Sequence, residues 1–416
     1  MKKFLSIAAL ALLFFSACSK VEMEEMPARK ISFRVSRYSA GTKADPTTKS
    51  ALQGETEEFT TKAFLYADDG NGSYLPTQDM FGASGDLVKY HAPSVNEIRA
   101  TWETDNEYFW PKSESSYINF VSFYSENTKT QFVATGVTET AMNWGTDESP
   151  ITIVSDDNIL YADLAYHFKN NETRNQLVSN VSEGVPTLFH HALSKVAFKV
   201  KLKTSKASAK SIWDVTIQGA SLTVGNNGYL PLSIPSSSLT GTEAVTIPWQ
   251  VSGTAATSEI VGWSRPSTGA TWETISSEFE TVTFTGFAPK TLNATTNVYE
   301  VEAQDLLAER TVLPQDLTAD LDEDNVPDVK LSVTFKIDIY HDANGDGTKD
   351  EATPYSQEIV TISNQSLSTL VSTIPNWRMN TKYIYTISID PVNTKIVFDP
   401  AVVDWTDDTP VGTINR

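Results

Sequence analysis

Long stretches in which every second residue is apolar constrain this chain more than any other feature it has. From Lys195 to Lys203, Val196, Phe198, Val200 and Leu202 alternate with Lys195, Ala197, Lys199, Lys201 and Lys203. Successive side chains of a strand point to opposite faces, so this spacing sets one face on a core and the other in water. Leu331, Val333, Phe335, Ile337 and Ile339 repeat the pattern, as do Tyr383, Tyr385, Ile387 and Ile389. Helical spacing is confined to Asp305–Arg310 and Asn171–Val181, each too brief to persist without a sheet to pack on. The strand candidates are separated by Gly, Asn, Ser and Pro clusters with no regular helix between them. The expected fold class is therefore all-β, with two antiparallel β-sandwich domains and few short helices.

The chain opens MKKFLSIAALALLFFSAC, in which Lys2 and Lys3 precede an apolar run from Phe4 to Phe15 and the small residues Ser16 and Ala17 precede Cys18. A charged start, a short apolar run and a small-residue end make a signal peptide, too short to span a membrane. Cys18 is the only cysteine, and it sits where a lipid-transferring enzyme needs a thiol. Residues 1–18 are read as a lipoprotein leader, although a lipobox usually has Leu where Phe15 stands. An ordinary signal peptide with an incidental cysteine is the alternative. The expected location is the outer membrane and cell surface, held by lipid at Cys18, with disulfides within the chain excluded. A formal charge of −20 repels phosphate backbones, so nucleic acid is not an expected partner.

At 416 residues the chain can form two domains, each with its own core. Residues 19–50 are read as a tether, a first strand and a candidate processing segment, 51–188 as an N-terminal sandwich, and 189–416 as a C-terminal sandwich with a tail. The boundary is set near Gly184–Leu188, where a segment rich in Asn gives way to Pro186. In the first of these pieces Ile31, Phe33 and Val35 alternate with Ser32, Arg34 and Ser36, which makes a strand. Tyr38 to Ser50 follows, rich in Thr, Lys, Gly and Ala with Pro46, a composition open to proteases.

Asp342, Asn344, Asp346, Gly347, Thr348 and Asp350 follow the start of an Asp-x-Asn-x-Asp-Gly calcium loop. Thr353 stands where the bidentate carboxylate of an EF-hand belongs, so the same residues also read as turn chemistry in a polar hairpin loop. A structural calcium ion at Asp342, Asn344, Asp346, Thr348 and Asp350 is carried as the only cofactor candidate. A second acidic run, Asp320 to Asp328, should lie at the opposite end of the intervening strand. The five histidines show no paired metal-ligand spacing, and neither a Gly-x-Ser-x-Gly elbow nor a phosphate-cradling glycine loop occurs. The chain is not expected to be an enzyme. Tryptophans at 102, 110, 144, 249, 263 and 272 leave one competing reading, a surface lipoprotein whose exposed aromatics stack on glycans.

Three stretches, FHHALSKVAFKVKL from Phe189 to Leu202, WRMNTKYIYTISID from Trp377 to Asp390 and KIVFDPAVVDW from Lys395 to Trp405, together resemble the fimbrillin family, the type V pilus subunits of gut and oral bacteria. The leader and Thr42-Lys43-Ala44, similar to the family's Thr-Arg-Ala cleavage region, extend the resemblance along the chain. It implies two transthyretin-like sandwiches and a lipidated precursor from which a trypsin-like surface protease removes the first strand. A neighbouring subunit's C-terminal strand then fills the groove. The residues that would serve are Lys43 for the cut, with Arg37, Lys30 and Lys49 competing; Ile31, Phe33 and Val35 for the removable strand; and Val402, Val403, Trp405, Val411 and Ile414 for the donor. Asp404, Asp407 and Asp408 make the tail a polar donor, and the bland alternative is that Ala401–Trp405 is simply the last strand of the second domain. The partners implied are other pilus subunits, the protease, the outer membrane through lipid, and a ligand on a host or bacterial surface.

Overall fold

The alternating stretches are strands in a computed structural model, which describes residues 30–37, 58–68, 74–91, 101–111, 116–125, 137–154, 157–169, 184–208, 210–239, 241, 243–252, 262–321 and 327–404. The first strands are β1 (Phe33–Arg37), β2 (Glu58–Asp68), β3 (Tyr74–Asp79), β4 (Asp86–His91), β5 (Thr101–Thr104), β6 (Tyr117–Ser125), β7 (Ala141–Trp144), β8 (Ile151–Thr152), β9 (Ile159–Ala162), β10 (Leu164–Phe168) and β11 (Val185–His191). There follow β12 (Ser194–Thr204), β13 (Ser211–Gly225), β14 (Asn227–Gly228), β15 (Leu230–Ser233), β16 (Val245–Ile247), β17 (Gln250–Val251), β18 (Trp272–Ile275) and β19 (Thr283–Phe287). The last are β20 (Tyr299–Glu300), β21 (Gln304–Val312), β22 (Lys330–His341), β23 (Ser356–Ser366), β24 (Thr381–Asp390) and β25 (Lys395–Asp404), with a short α-helix, α1 (Leu367–Leu370), between β23 and β24 and a 3-10 turn at Ser236–Ser238. The chain is all-β.

The C-terminal half is a sandwich. One five-stranded sheet runs β20-β12-β24-β25 with β21 also on β12, and the other runs β18-β13-β22-β23 with β19 also on β13. Val196, Phe198, Val200 and Leu202 of β12 and Tyr385 and Ile387 of β24 meet Val215 and Ile217 of β13 and Val333, Phe335 and Ile337 of β22 in one core. The opposite faces of these strands carry Lys, Ser, Thr and Asp, as the alternation requires. Asp305–Arg310 lies inside β21 rather than in a helix. Register shifts in the β12–β21 pairing put Leu306 and Leu307 both in the core, which breaks the period-2 signal that identifies other strands.

The N-terminal half closes on itself. β6 pairs with β9, β9 with β11, β11 with β1, β1 with β5, β5 with β4, β4 with β2, and β2 with β6 again. Each member of that ring has a neighbour on both sides, so β1 has no exposed edge of the kind a terminal strand usually shows. Its interior holds Ile31, Phe33, Val35, Phe59, Val88, Trp102, Phe120, Leu160 and Phe189. β6 is buried on both faces: Ile118 and Phe120 enter the ring, while Val121 and Phe123 join a further core with Trp144, Leu230, Leu232, Trp249 and Trp263.

Two pairings depart from a purely antiparallel plan. β1 runs parallel to β11, and β12 runs parallel to β24 along nine residues from Ser194↔Thr381 to Leu202↔Ile389. Parallel neighbours need long crossovers, and both pairs are far apart in sequence. The boundary expected between residues 188 and 189 falls inside β11. From the connection between β13 and β18, strands β14, β15 and β16 return to pair with β8, β7 and β10 of the first half, and β17 pairs with β15.

Candidate functional site

The first strand supplies the arrangement that most invites a function. Ile31, Phe33 and Val35 are 0, 3 and 0% exposed, each turned into the ring, as their alternation with Ser32 and Arg34 demands. Phe33 meets Phe59 edge to face at 5.8 Å and Phe120 at 5.6 Å, and Phe59 in turn contacts Phe189 and Trp102. Edge-to-face rings add about 0.5–1.5 kcal/mol per pair beyond their area.

The two sides of β1 are held unequally. Against β11 the register runs from Phe33↔Val185 to Arg37↔Phe189, and the Val185 N–H donates to the Ser32 carbonyl at 2.8 Å. Against β5 the ladder among the described residues is Phe33↔Trp102, supplemented by the Ile31 N–H donating to the Tyr108 carbonyl at 2.8 Å and a bridge between Lys30 and Phe109. The Lys30 ammonium is 2.7 Å from Glu103 and 3.6 Å from Glu107. The hydrogen bond to Glu103 holds its pKa above the ordinary 10.5. Gly184, immediately before β11, has no side chain because there is no room for one: a Cβ there would stand 2.8 Å from the Phe33 carbonyl carbon and 3.0 Å from the Arg34 nitrogen.

Arg37, one of the expected cleavage positions, is the last residue of β1 and is paired with Phe189. Cys18 and Lys43 lie outside the described residues. Of the expected donor residues, Val402 and Val403 belong to β25, paired with Tyr383 and Lys382 of β24. They are thus paired within this chain, and Trp405, Val411 and Ile414 lie outside the described residues. β25 is an edge strand in which Val397 and Val402 are 45 and 55% exposed. Pro400 in its middle lacks the N–H that edge pairing would use.

The loop of Asp342, Asn344, Asp346, Thr348 and Asp350 joins β22 to β23, and Asp328, from the second acidic run, precedes the other end of β22 while Asp322 and Asp324 lie outside the described residues. Asp346, Asp350 and Asn344 are engaged within the loop. Asp346 accepts from the Thr348 N–H at 2.7 Å, Asp350 from the Ala343 N–H at 2.7 Å, and Asn344 from the Asp346 N–H at 3.2 Å. Asp342 faces the ammonium of Lys290 at 2.9 Å. Among the described residues no group of three or more His, Cys, Asp or Glu side chains is placed to hold a metal.

The described tryptophans offer little to a sugar. Trp102, Trp110, Trp144, Trp249 and Trp263 are buried, and the indole N–H groups of Trp249 and Trp263 donate to the carbonyls of Ala162 and Ala192 at 2.8 and 2.7 Å. Trp272 is half-buried with the Arg265 guanidinium over its ring at 4.6 Å.

Sequence reasoning found the strand and missed what surrounds it. Gly184 carried a signal, a lone glycine beside a strand start, whereas Lys290 carried none. No helix among the described residues is long and apolar enough to cross a membrane, a statement that does not extend to spans built from strands.

Fold and site together define a class: an all-β chain with a closed N-terminal ring, a C-terminal sandwich, and an N-terminal strand inserted as one stave of the ring. Among solved structures the chain is similar to a fimbrial protein from Bacteroides vulgatus ATCC 8482, at 16% identity and a TM-score of 0.45, covering 91% of this chain and 100% of that one. It is also similar to a protein from Bacteroides ovatus ATCC 8483 described as a candidate cell adhesion protein, at 12% identity and a TM-score of 0.40, covering 92 and 100% of the two chains. The tip fimbrial protein Mfa3 from Porphyromonas gingivalis, with C-terminal truncation, matches at 10% identity and a TM-score of 0.26, covering 83 and 94%. No family model and no curated protein matches the chain.

Proposed function

We propose that this chain is an adhesive pilus subunit of the bacterial surface, and that β1 is a provisional stave which proteolysis removes and a strand from another subunit replaces. The observation that carries the reading is the way β1 is attached. It fills an interior position of the ring, yet it joins the rest of the described chain only through residues 38–57. A single cut in that link, after Lys43 in our reading, separates β1 and everything before it, including a lipid on Cys18, from the body of the protein.

Removing β1 uncovers the apolar lining beside Phe59, Phe120 and Trp102, together with the unpaired edges of β11 and β5. An apolar groove between two unpaired edges binds an extended strand by main-chain hydrogen bonds, with pockets for alternate side chains. The replacement takes the place of β1 between β11 and β5 and presents apolar residues at alternate positions, as Ile31, Phe33 and Val35 do. Since β25 is used within the C-terminal sandwich, the part of this chain left to reach a neighbour begins after Asp404 and includes Val411 and Ile414. The chain acts by assembly and display in this reading, not by catalysis.

The test is trypsin added to the purified precursor. A single new N-terminus at Ala44, followed by SDS-resistant ladders, is the expected result. Cuts scattered through the ring and sandwich, or a trimmed protein that stays monomeric at high concentration, would sink the proposal.

A further inference from the structure

The β22–β23 loop spaces its oxygens as a calcium loop does, but a positive charge already stands in it. Lys290, in the segment after β19, sets its Nζ 2.9 Å from Oδ2 of Asp342 and 2.7 Å from the carbonyl oxygen of Gly345. The Asp342 side chain is 0% exposed and that of Lys290 is 32% exposed, so the carboxylate is buried beneath a partly solvated ammonium. The same Oδ2 accepts the Gly347 N–H at 3.0 Å. Gly347 occupies the sixth loop position, where a calcium loop needs glycine for its sharp turn, and its φ is 91°. A Cβ on Gly347 would stand 3.3 Å from the ammonium, so the turn is closed around Lys290. Oδ1 of Asp342 is buried and has no hydrogen-bond partner.

We propose that Lys290 is the resident cation of this loop: its ammonium neutralises Asp342 and gathers residues 342–347, doing so in place of the divalent ion that the spacing of the oxygens suits. A buried carboxylate is tolerated only with a compensating charge, and Lys290 is the cation the geometry supplies. The ordinary chain therefore holds this end of the sandwich without metal. Take the ammonium away, and Asp342 Oδ2 and the Gly345 carbonyl lose the cation they share, which leaves them, beside the orphaned Oδ1, as the oxygens a divalent ion would meet. Lowering of the Asp342 pKa, caused first by the hydrogen bond from Lys290 and opposed by burial, is consistent with that pairing.

The experiment compares the full chain with its Lys290→Met variant, by thermal melting in EDTA and in millimolar Ca²⁺ and by Tb³⁺ luminescence, for which Tyr340 and Tyr355 beside the loop are sensitisers. The wild type should melt at one temperature in both buffers and give no Tb³⁺ signal. Lys290→Met should melt lower in EDTA, recover in Ca²⁺ and sensitise Tb³⁺. Three results would overturn the proposal: a wild type stabilised by Ca²⁺, a Lys290→Met variant as stable as wild type in EDTA, or a destabilised variant that neither ion restores. If Lys290→Met fails to fold, the wild-type arm still decides, read against Asp342→Asn as the ion-blind control.

Discussion

Replacing Phe33 by alanine in the full chain tests whether β1 is a packed stave or a decoration. The ring of Phe33 is 3% exposed and lies edge to face on Phe59 and Phe120. Truncating a buried Phe to Ala removes its transfer energy and leaves a cavity whose walls relax only in part, a loss of about 3–5 kcal/mol. The whole of Ile31, Phe33 and Val35, at about 1.5–3 kcal/mol each, accounts for roughly 5–9 kcal/mol before allowance for a compact denatured state. Domain stabilities are about 5–15 kcal/mol, so one residue of β1 carries a large share of what holds the ring closed. Urea titration followed by tryptophan fluorescence is a direct assay, because Trp102 is paired with Phe33 across the β1–β5 ladder. The control is Ile359→Ala on β23, where a side chain 62% exposed should change stability by no more than about 0.5 kcal/mol. A Phe33→Ala loss under about 1 kcal/mol would show that the ring does not depend on β1, and the argument for its replacement would fail with it.

Gly184→Val should keep β1 from seating, because the new side chain would collide with the Phe33 backbone; faster hydrogen exchange of the Phe33–Arg37 amides is the readout, and unchanged protection would refute the close approach. The Lys30–Glu103 pair should stabilise the start of β1 by no more than about 1 kcal/mol, since both groups are partly solvated. Because the folded pKa of Lys30 is raised, that contribution is complete below its ordinary 10.5 and is lost as pH rises through the folded value; Lys30→Met should abolish the alkaline step in a stability–pH curve. Tyr385→Phe should cost about 1–3 kcal/mol in the C-terminal sandwich, because it strips the buried Trp377 indole N–H of the hydroxyl it reaches at 2.8 Å; chemical denaturation of the variant measures it.

How much of this was legible in the residues depends on which face of a strand met water. β12, β22 and β24 each have one solvated face, so their apolar residues stand out at every second position and their burial could be read directly. β6 has no solvated face, and its run Tyr117–Ser125 carries no alternation. β21 was mistaken for a helix because a bulge sets Leu306 beside Leu307 on the core side. Partners are a different matter from strands. Alternation says which side of β1 is apolar but not that β11 lies parallel to it, nor that β2 and β6 meet to close the ring, since those pairings join residues far apart in the chain. The return of β14, β15 and β16 onto the first half was invisible for the same reason.

The candidate site divides along the same line. Ile31, Phe33 and Val35 declared themselves by spacing, and their burial follows. The calcium-like spacing from Asp342 to Asp350 was also plain, but the ammonium that meets Asp342 comes from Lys290 on another loop, and nothing local announces it. Val402 and Val403 read as tail residues because a β-rich ending looks the same whether its last strand pairs at home or abroad; β24 claims them.

The most direct measurement follows the exchange itself. Precursor trimmed at Lys43 and separated from its released N-terminal segment is mixed with an isotopically labelled peptide carrying the sequence of residues 29–38. The account predicts stoichiometric uptake, recovery of the melting temperature of the uncut protein, and loss of uptake when Phe33 in the peptide is replaced by alanine. A trimmed protein that keeps its full stability with the position of β1 vacant, and takes up no peptide, would contradict it.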